Sequence, residues 1–211
     1  QIAGVKNIPE MTGKSLNDIL FSDSNNVHHR NYILTGRERH SDARPDDLGY
    51  PSRAIRTQDF LFILNFKPDR WPAGNPPPGQ DLKLSQENSS ENFKPIGLGY
   101  SDIDDPSPTK KLMIKNKNKW PELFAEGFEK RPAEQLFDIK RDPYCTTNMA
   151  NDPEFDSVRN ALKNKLEILL TQQGDPRMLG DGDIFESYPR FGLMRNWGGF
   201  QKRGAYNPVY Q

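Results

Sequence analysis

The chain has 211 residues, of which 34% are hydrophobic and 18 are proline, with a mean hydropathy of −0.87. The length suits one domain of ordinary size, but apolar content this thin predicts long surface loops or packing against a further partner, because burial must offset chain entropy. Twenty-nine basic residues balance twenty-nine acidic ones, so net charge gives no argument for nucleic acid or an anionic membrane; one cysteine excludes an internal disulfide and a four-cysteine zinc site.

No apolar stretch nears the roughly 20 residues of a membrane span. The opening "QIAGVKNIPEMTGKSLNDIL" has no initiator Met and starts within an apolar pattern, which predicts a piece of a longer chain. Residues 1 to 20 suggest the end of a helix, a Gly and Pro turn, and a helical turn from Ser15 to Leu20. "NYILTG" predicts a short strand, with Tyr32, Ile33 and Leu34 apolar in sequence as in a strand buried on both faces. "RAIRTQDFLFILNF" predicts a hairpin, with a polar turn around Thr57 to Asp59 and an apolar run from Phe60 to Phe66. From Lys67 to Pro108 the pattern is loop-like, far longer than usual in a compact domain.

Ser107 followed by Pro108 marks a helix start, and a further helical turn or two is expected from Pro121 to Glu129. "EQLFDIKRDP" predicts a strand stopped by Asp142 and Pro143. The strongest element covers 153 to 173: Asp152 caps, Pro153 opens, Glu154 and Asp156 favour the positive end, and Gly174 terminates. Phe155, Val158, Leu162, Leu166 and Leu169 recur at spacings of three and four, giving one apolar stripe that must lie on a sheet. The tail from Asp175 to Gln211 is expected to run extended over the body.

Few residue groups carry chemistry. Asp46 and Asp47 in "PDDLGY" are adjacent carboxylates that could share a cation only in a tight turn with outside help, against a solvated turn as the plainer reading. Cys145 in "RDPYCTTNMANDP" has Arg141 nearby but no histidine, so an inert thiol is favoured over a nucleophile. "GRERH" differs in kind. Arg37, Arg39 and His40 could grip a sulfate, phosphate or carboxylate, and Glu38 could accept from sugar hydroxyls; the alternative is a surface ion-pair cluster. His28 and His29 precede the strand and are expected exposed, Arg70 and Trp71 could stack on a sugar or anchor packing, and "NSS" at 88 to 90 is a weak glycosylation signal. No phosphate-cradling loop, catalytic triad order or zinc spacing occurs.

"AGVKNIPEMTGKSLNDIL", "GRERHSDARPDDLGYPSRAIRTQDFLFILNFKPDRWPAG" and "KRPAEQLFDIKRDPYCTTNMANDPEF" together resemble the C-terminal part of type I sulfatases, in order and over nearly all of the chain. The branch it is most similar to is that of heparan N-sulfatase (sulfamidase). Gln135 to Ile139 stands where the family has an ELYDL-like strand, and Asn148, Met149 and Ala150 where it has NLA.

The resemblance implies an α/β protein: 1–50 as the tail end of a large alkaline-phosphatase-like domain, and 51–211 as a C-terminal subdomain with a small antiparallel sheet, the 153–173 helix and the tail. It implies hydrolysis of sulfate esters or N-sulfates of carbohydrates such as glycosaminoglycans, by a formylglycine made in a C-x-P/A-S-R motif beside a calcium ion. Neither is expected in this stretch: Cys145 is followed by Thr146 and Thr147, and Asp46 and Asp47 lie in the wrong half for the family's metal pair. The chain alone is therefore expected to be inactive, its partner being the upstream catalytic portion and its substrate a sulfated carbohydrate, in a periplasmic or secreted setting. Loops of this region help form the family's pocket rim, which points to His40, Arg39, Glu38 and Arg37 as substrate-binding residues. A noncatalytic module that binds an anionic glycan, or an interaction subunit, is the alternative.

Overall fold

The computed structural model describes residues 4, 11, 13–24, 30–40, 43–44, 48–77, 99–103 and 107–188. Asp46 and Asp47, His28 and His29, the "NSS" triplet and the tail beyond Tyr188 lie outside the described residues.

A four-stranded antiparallel sheet organises the chain. Strand β1 (Ile33–Arg37) pairs with β2 (Ser52–Arg56), β2 with β3 (Phe60–Asn65), and β3 with β4 (Glu134–Asp138), so spatial order follows chain order. The predicted hairpin is β2 and β3. Its turn is held by Thr57, whose hydroxyl accepts from the Phe60 amide at 3.0 Å and whose own amide donates to the Phe60 carbonyl at 2.8 Å. The sheet thus begins at Ile33 and runs across residue 50. β1 is an edge strand with only Leu34 half-buried, while Ile33 stands 46% exposed, so the expected burial on both faces is corrected. Three consecutive apolar letters suggested a central strand, yet an edge strand of an antiparallel sheet needs only every second side chain in the core.

Register places Leu34, Ile55, Phe62 and Leu136 in one row across all four strands. Helix α4 (Asp156–Gln172) lies on that row and buries Leu162, Leu166 and Leu170 among Ile55, Phe62, Leu136 and Ala150. A 310 turn at Pro153–Phe155 precedes it, capped by Asp152 accepting from the Glu154 amide at 3.0 Å, and Gly174 closes it at φ 73°. The single predicted helix of 153 to 173 is therefore a 310 turn followed by an α-helix, because the capped first turn winds tighter. Asn148 tethers the returning chain, its side-chain carbonyl accepting from the Leu136 amide at 2.8 Å and the Ala150 amide at 3.1 Å.

The other face of the sheet meets the segment between β3 and β4. Helix α2 (Pro108–Lys115) starts where expected, with the Ser107 hydroxyl accepting from the Lys110 amide, and helix α3 (Pro121–Phe128) follows. Phe124, Phe128, Tyr100 and Ala73 form a second core, with Tyr100 and Phe128 rings 4.9 Å apart. Gly74, at φ 89°, lets three backbones meet: a Cβ there would stand 2.7 Å from the Ser101 nitrogen and 2.8 Å from the Ala43 carbonyl. Helix α1 (Asn17–Leu20) is a single turn near the start. The expected extended tail is corrected over its described part, which contains a short helix α5 (Pro176–Leu179), begun by Asp175 accepting from the Arg177 amide, and a 310 helix at Gly182–Glu186.

Candidate functional site

Strand alternation divides the "GRERH" cluster. Successive side chains of a strand point to opposite faces, so Arg37 turns to the face away from α4 while Glu38 continues the parity of Leu34 and Gly36 towards it. Glu38 takes Arg53 at 2.7 Å and Arg177 at 2.7 Å. Arg53 also donates to Asp175 at 2.6 Å, and Arg177 donates to Asp183 at 3.0 Å. Gly36 faces Arg53 across the pair, and a Cβ there would sit 3.1 Å from the Arg53 side chain, which crosses the strand at that point. Burial alone would lower the Arg53 pKa, but hydrogen bonds to Asp175 and Glu38 raise it. Glu38 is thereby engaged in pinning the 175–186 segment to the sheet. Arg39 reaches the same segment by donating to the Tyr188 carbonyl at 2.8 Å.

Arg37 and His40 meet elsewhere, on Asp102. This carboxylate, whose side chain is 2% exposed, accepts from Arg37 and Arg44 and lies 2.6 Å from His40 Nδ1. Arg44 is as deeply buried and spends Nε and Nη2 on the Trp71 and Pro72 carbonyls, at 2.8 and 2.7 Å. Desolvation lowers the Arg44 pKa, partly restored by Asp102. Its Nη1 is buried without a hydrogen-bond partner among the described residues. Arg37 and Arg44 both lie over the Tyr50 ring, at 5.9 and 5.5 Å from its centroid. The chain between 38 and 50 is closed by the Tyr50 amide donating to the Glu38 carbonyl at 2.9 Å. Tyr50 is 4% exposed, with its hydroxyl beside the Arg131 backbone. Burial raises its pKa against the opposing charges of Arg131, Arg44 and Arg37 and the nearby Arg131 backbone.

Of these groups, Arg37, Asp102 and Tyr50 border a cavity of about 330 Å3 between the sheet and the β3 to β4 segment. Its floor is the outer sheet face, with Arg37 and Ser52 beside Asn65, and Ile63 beside Gln135. Its walls include Asp102, Tyr50 and Arg131, the last donating to the Ala125 carbonyl at 2.9 Å. Asp102 and Arg44 escape sequence reasoning because their partners stand tens of residues away, and no spacing links Tyr50 or Arg131 to them. The one available signal was the alternation inside β1, which sends Arg37 and Glu38 to different faces.

The remaining candidates resolve simply. Arg70 donates to the Gly49 carbonyl at 2.9 Å and pairs with Glu186, and Trp71 packs edge-on against Tyr100 at 6.1 Å; both hold the loop in place. Cys145 sits in a turn at φ 55°, and burial followed by the Asp142 charge pushes its thiol pKa up, which keeps it protonated. Among the described residues no three His, Cys, Asp or Glu side chains gather as a cation site requires, and the buried carboxylates are occupied by Arg or His. The described residues therefore do not fit a calcium ion. Nor does any described helix have the length and apolarity to cross a membrane.

No family model matches the chain. Two curated relatives do, both described as ulvan-active sulfatases of Formosa agariphila: one is 27% identical over 156 residues, covering 74% of this chain and 22% of the relative, and the other is 23% identical over 175 residues, covering 83% and 27%. A solved Bacteroides thetaiotaomicron protein, described as a candidate sulfatase, aligns over 83% of this chain and 23% of its own at 15% identity; its TM-score of 0.45 is too low to bear on the fold. Distant homology thus relates the chain to sulfatases, and it spans 22% and 27% of the length of the two curated relatives.

Proposed function

We propose that this chain is the C-terminal part of a formylglycine-dependent sulfatase that hydrolyses sulfate groups of a carbohydrate polymer, and that the loop after β1 forms part of the sugar-binding rim. The observation that carries the reading is the convergence of Arg37 and His40 on the buried Asp102, which holds two polar side chains, 42% and 54% exposed, in a fixed relation, while Arg37 and Asp102 also line a polar cavity. A cation and an imidazole presented this way suit a sulfate or carboxylate and its neighbouring hydroxyls. Arg39 and Glu38 support the rim from behind, through Tyr188 and through Arg53 and Arg177. The relatives' names favour a sulfated polysaccharide such as ulvan over the N-sulfated glycosaminoglycan of the sulfamidase branch.

In this reading the nucleophile and the calcium ligands come from the upstream portion of the protein, 1–32 leads in from an alkaline-phosphatase-like domain, and the sheet with α4 is the C-terminal subdomain. The setting is periplasmic or secreted, where a polysaccharide is met. The test is sulfate release from ulvan and from heparan sulfate by the full-length protein, compared with Arg37→Ala and His40→Ala. Each substitution is expected to lower kcat/KM by about tenfold or more, chiefly through KM, as for loss of a charge-assisted hydrogen bond. Release of no sulfate from either polymer, or unchanged kinetics in both variants, would sink the proposal.

A further inference from the structure

The two edges of the sheet are finished differently. On β4 the returning chain takes the outward backbone groups: the Leu136 amide donates to the Asn148 side chain at 2.8 Å, the Met149 amide to the Leu136 carbonyl at 2.8 Å, and the Asn148 side chain to the Glu134 carbonyl at 3.3 Å. On β1 the phase of the ladder follows from the hairpin. The Thr57 amide bonds to Phe60 and the Phe66 amide to Pro51, so alternate residues of β2 serve β3, which leaves Ser52, Ala54 and Arg56 to serve β1. Their register partners are Arg37, Thr35 and Ile33. Leu34 and Gly36 therefore aim their amides and carbonyls away from the sheet, and no described residue bonds to them there. An open edge is a template for a further strand, which natural proteins blunt with charge, proline or cover. The stretch Ile-Leu-Thr-Gly-Arg has no proline, and its one charge is its last residue.

We propose that residues 190–194 of this chain add a fifth strand to the free edge of β1, antiparallel to it, with Phe191 opposite Gly36 and Leu193 opposite Leu34. Where the described chain leaves off carries the assignment. Tyr188 lies just past the end of β1, its carbonyl accepting from Arg39 at 2.8 Å, and the pairs Glu38 with Arg177 and Arg53 with Asp175 fix the preceding segment to that same end. A chain leaving there towards Ile33 runs antiparallel to β1, and Tyr188 opposite Arg39 sets the stated register. The next residues are Pro189, Arg190, Phe191, Gly192, Leu193 and Met194. Proline is tolerated as the first residue of a strand. Phe191 and Leu193 alternate onto the face of α4, the one over the bare Gly36 and the other beside Leu34. Arg190 falls beside Arg37, whose charge Asp102 already meets. The loop that carries His40 then leaves from a paired strand rather than from an edge.

Hydrogen exchange of the full-length protein, read by mass spectrometry of overlapping peptides across β1, tests this, because the amides of Leu34 and Gly36 are the ones the added strand would protect. They should exchange about tenfold or more slowly in the wild type than in a protein ending at Tyr188. Fast exchange in both proteins leaves the edge open and overturns the proposal. Slow exchange in both gives the edge to the upstream portion or to a second copy, and overturns it too. Should the shortened protein fail to fold, a disulfide decides. Thr35 and Gly192 would face each other as a non-hydrogen-bonded pair, with Cα atoms about 4.5 Å apart, within disulfide reach. In a Cys145→Ser background, Thr35→Cys with Gly192→Cys should close an intramolecular disulfide about tenfold faster than Thr35→Cys with Leu193→Cys, whose side chains would stand on opposite faces. Equal rates for the two pairs, or disulfides formed only between molecules, overturn the proposal. Sulfate release enters neither readout, so this inference stands or falls apart from the function proposed above.

Discussion

Replacing Asp102 by Ala isolates the most consequential polar contact of the fold. Two arginines and an imidazole lose a partner at once, and their exposures decide what each loss costs. Arg37 and His40 have side chains 42% and 54% exposed, so both can turn to water, and an exposed ion pair contributes only about 0–1 kcal/mol. Arg44 is 2% exposed and cannot. Leaving a buried charge uncompensated costs about 3–5 kcal/mol, and since Arg44 retains the Trp71 and Pro72 carbonyls the lower end, about 3 kcal/mol, is expected. That is a large share of a domain stability of about 5–15 kcal/mol. Urea unfolding followed by tryptophan fluorescence measures it, Trp71 being in the affected loop. The doubly substituted Arg44→Met, Asp102→Leu protein should be more stable than Asp102→Ala, because it removes the stranded charge along with its partner. A loss below about 1 kcal/mol for Asp102→Ala, or a double variant no better than the single one, would refute the reasoning that burial of Arg44 sets the magnitude.

Leu166→Ala, at a fully buried position under Ile55, Phe62 and Leu136, should cost about 2–5 kcal/mol in the same urea assay, whereas Ile168→Ala on the exposed side of α4 should cost well under that. Asp142 is held below the ordinary carboxylate range chiefly by the Thr147 amide, at 2.8 Å, and by the Thr146 amide, at 2.7 Å. A depressed folded pKa means its contribution is present above the unfolded value and disappears as pH falls through the folded one. The melting-temperature gap between wild type and Asp142→Asn should therefore narrow as pH is lowered below about 4, and a gap that widens there would contradict the assignment. Cys145 should react slowly with iodoacetamide at pH 7 and accelerate only on the alkaline side, since burial and Asp142 disfavour its thiolate; fast labelling at neutral pH would contradict that protonated state.

The sequence by itself determined the elements whose signals are local. Ser107 with Pro108 and Asp152 with Pro153 placed two helix starts, because a cap and a fixed φ act within one turn of chain. The 3.6-residue recurrence of Leu162 and Leu166 required a sheet beneath α4, and the apolar run from Phe60 with its Thr57 turn supplied two of the strands. The charged loop after β1 was also legible as a place where an anion could be handled. Tertiary structure alone decided which partners its residues meet. Glu38 and Arg37 are neighbours in sequence, yet the pleat sends one to Arg53 and Arg177 and the other to Asp102, 65 residues away. No pattern in the chain announces Asp102, since a carboxylate in a loop becomes the hub of an ion cluster only when folding brings Arg37, His40 and Arg44 around it and strips the water away. Local structure is written in nearest neighbours. The electrostatics of a cavity depends on which distant charges share its low dielectric, and that is fixed only by the packed sheet and the segment that covers it.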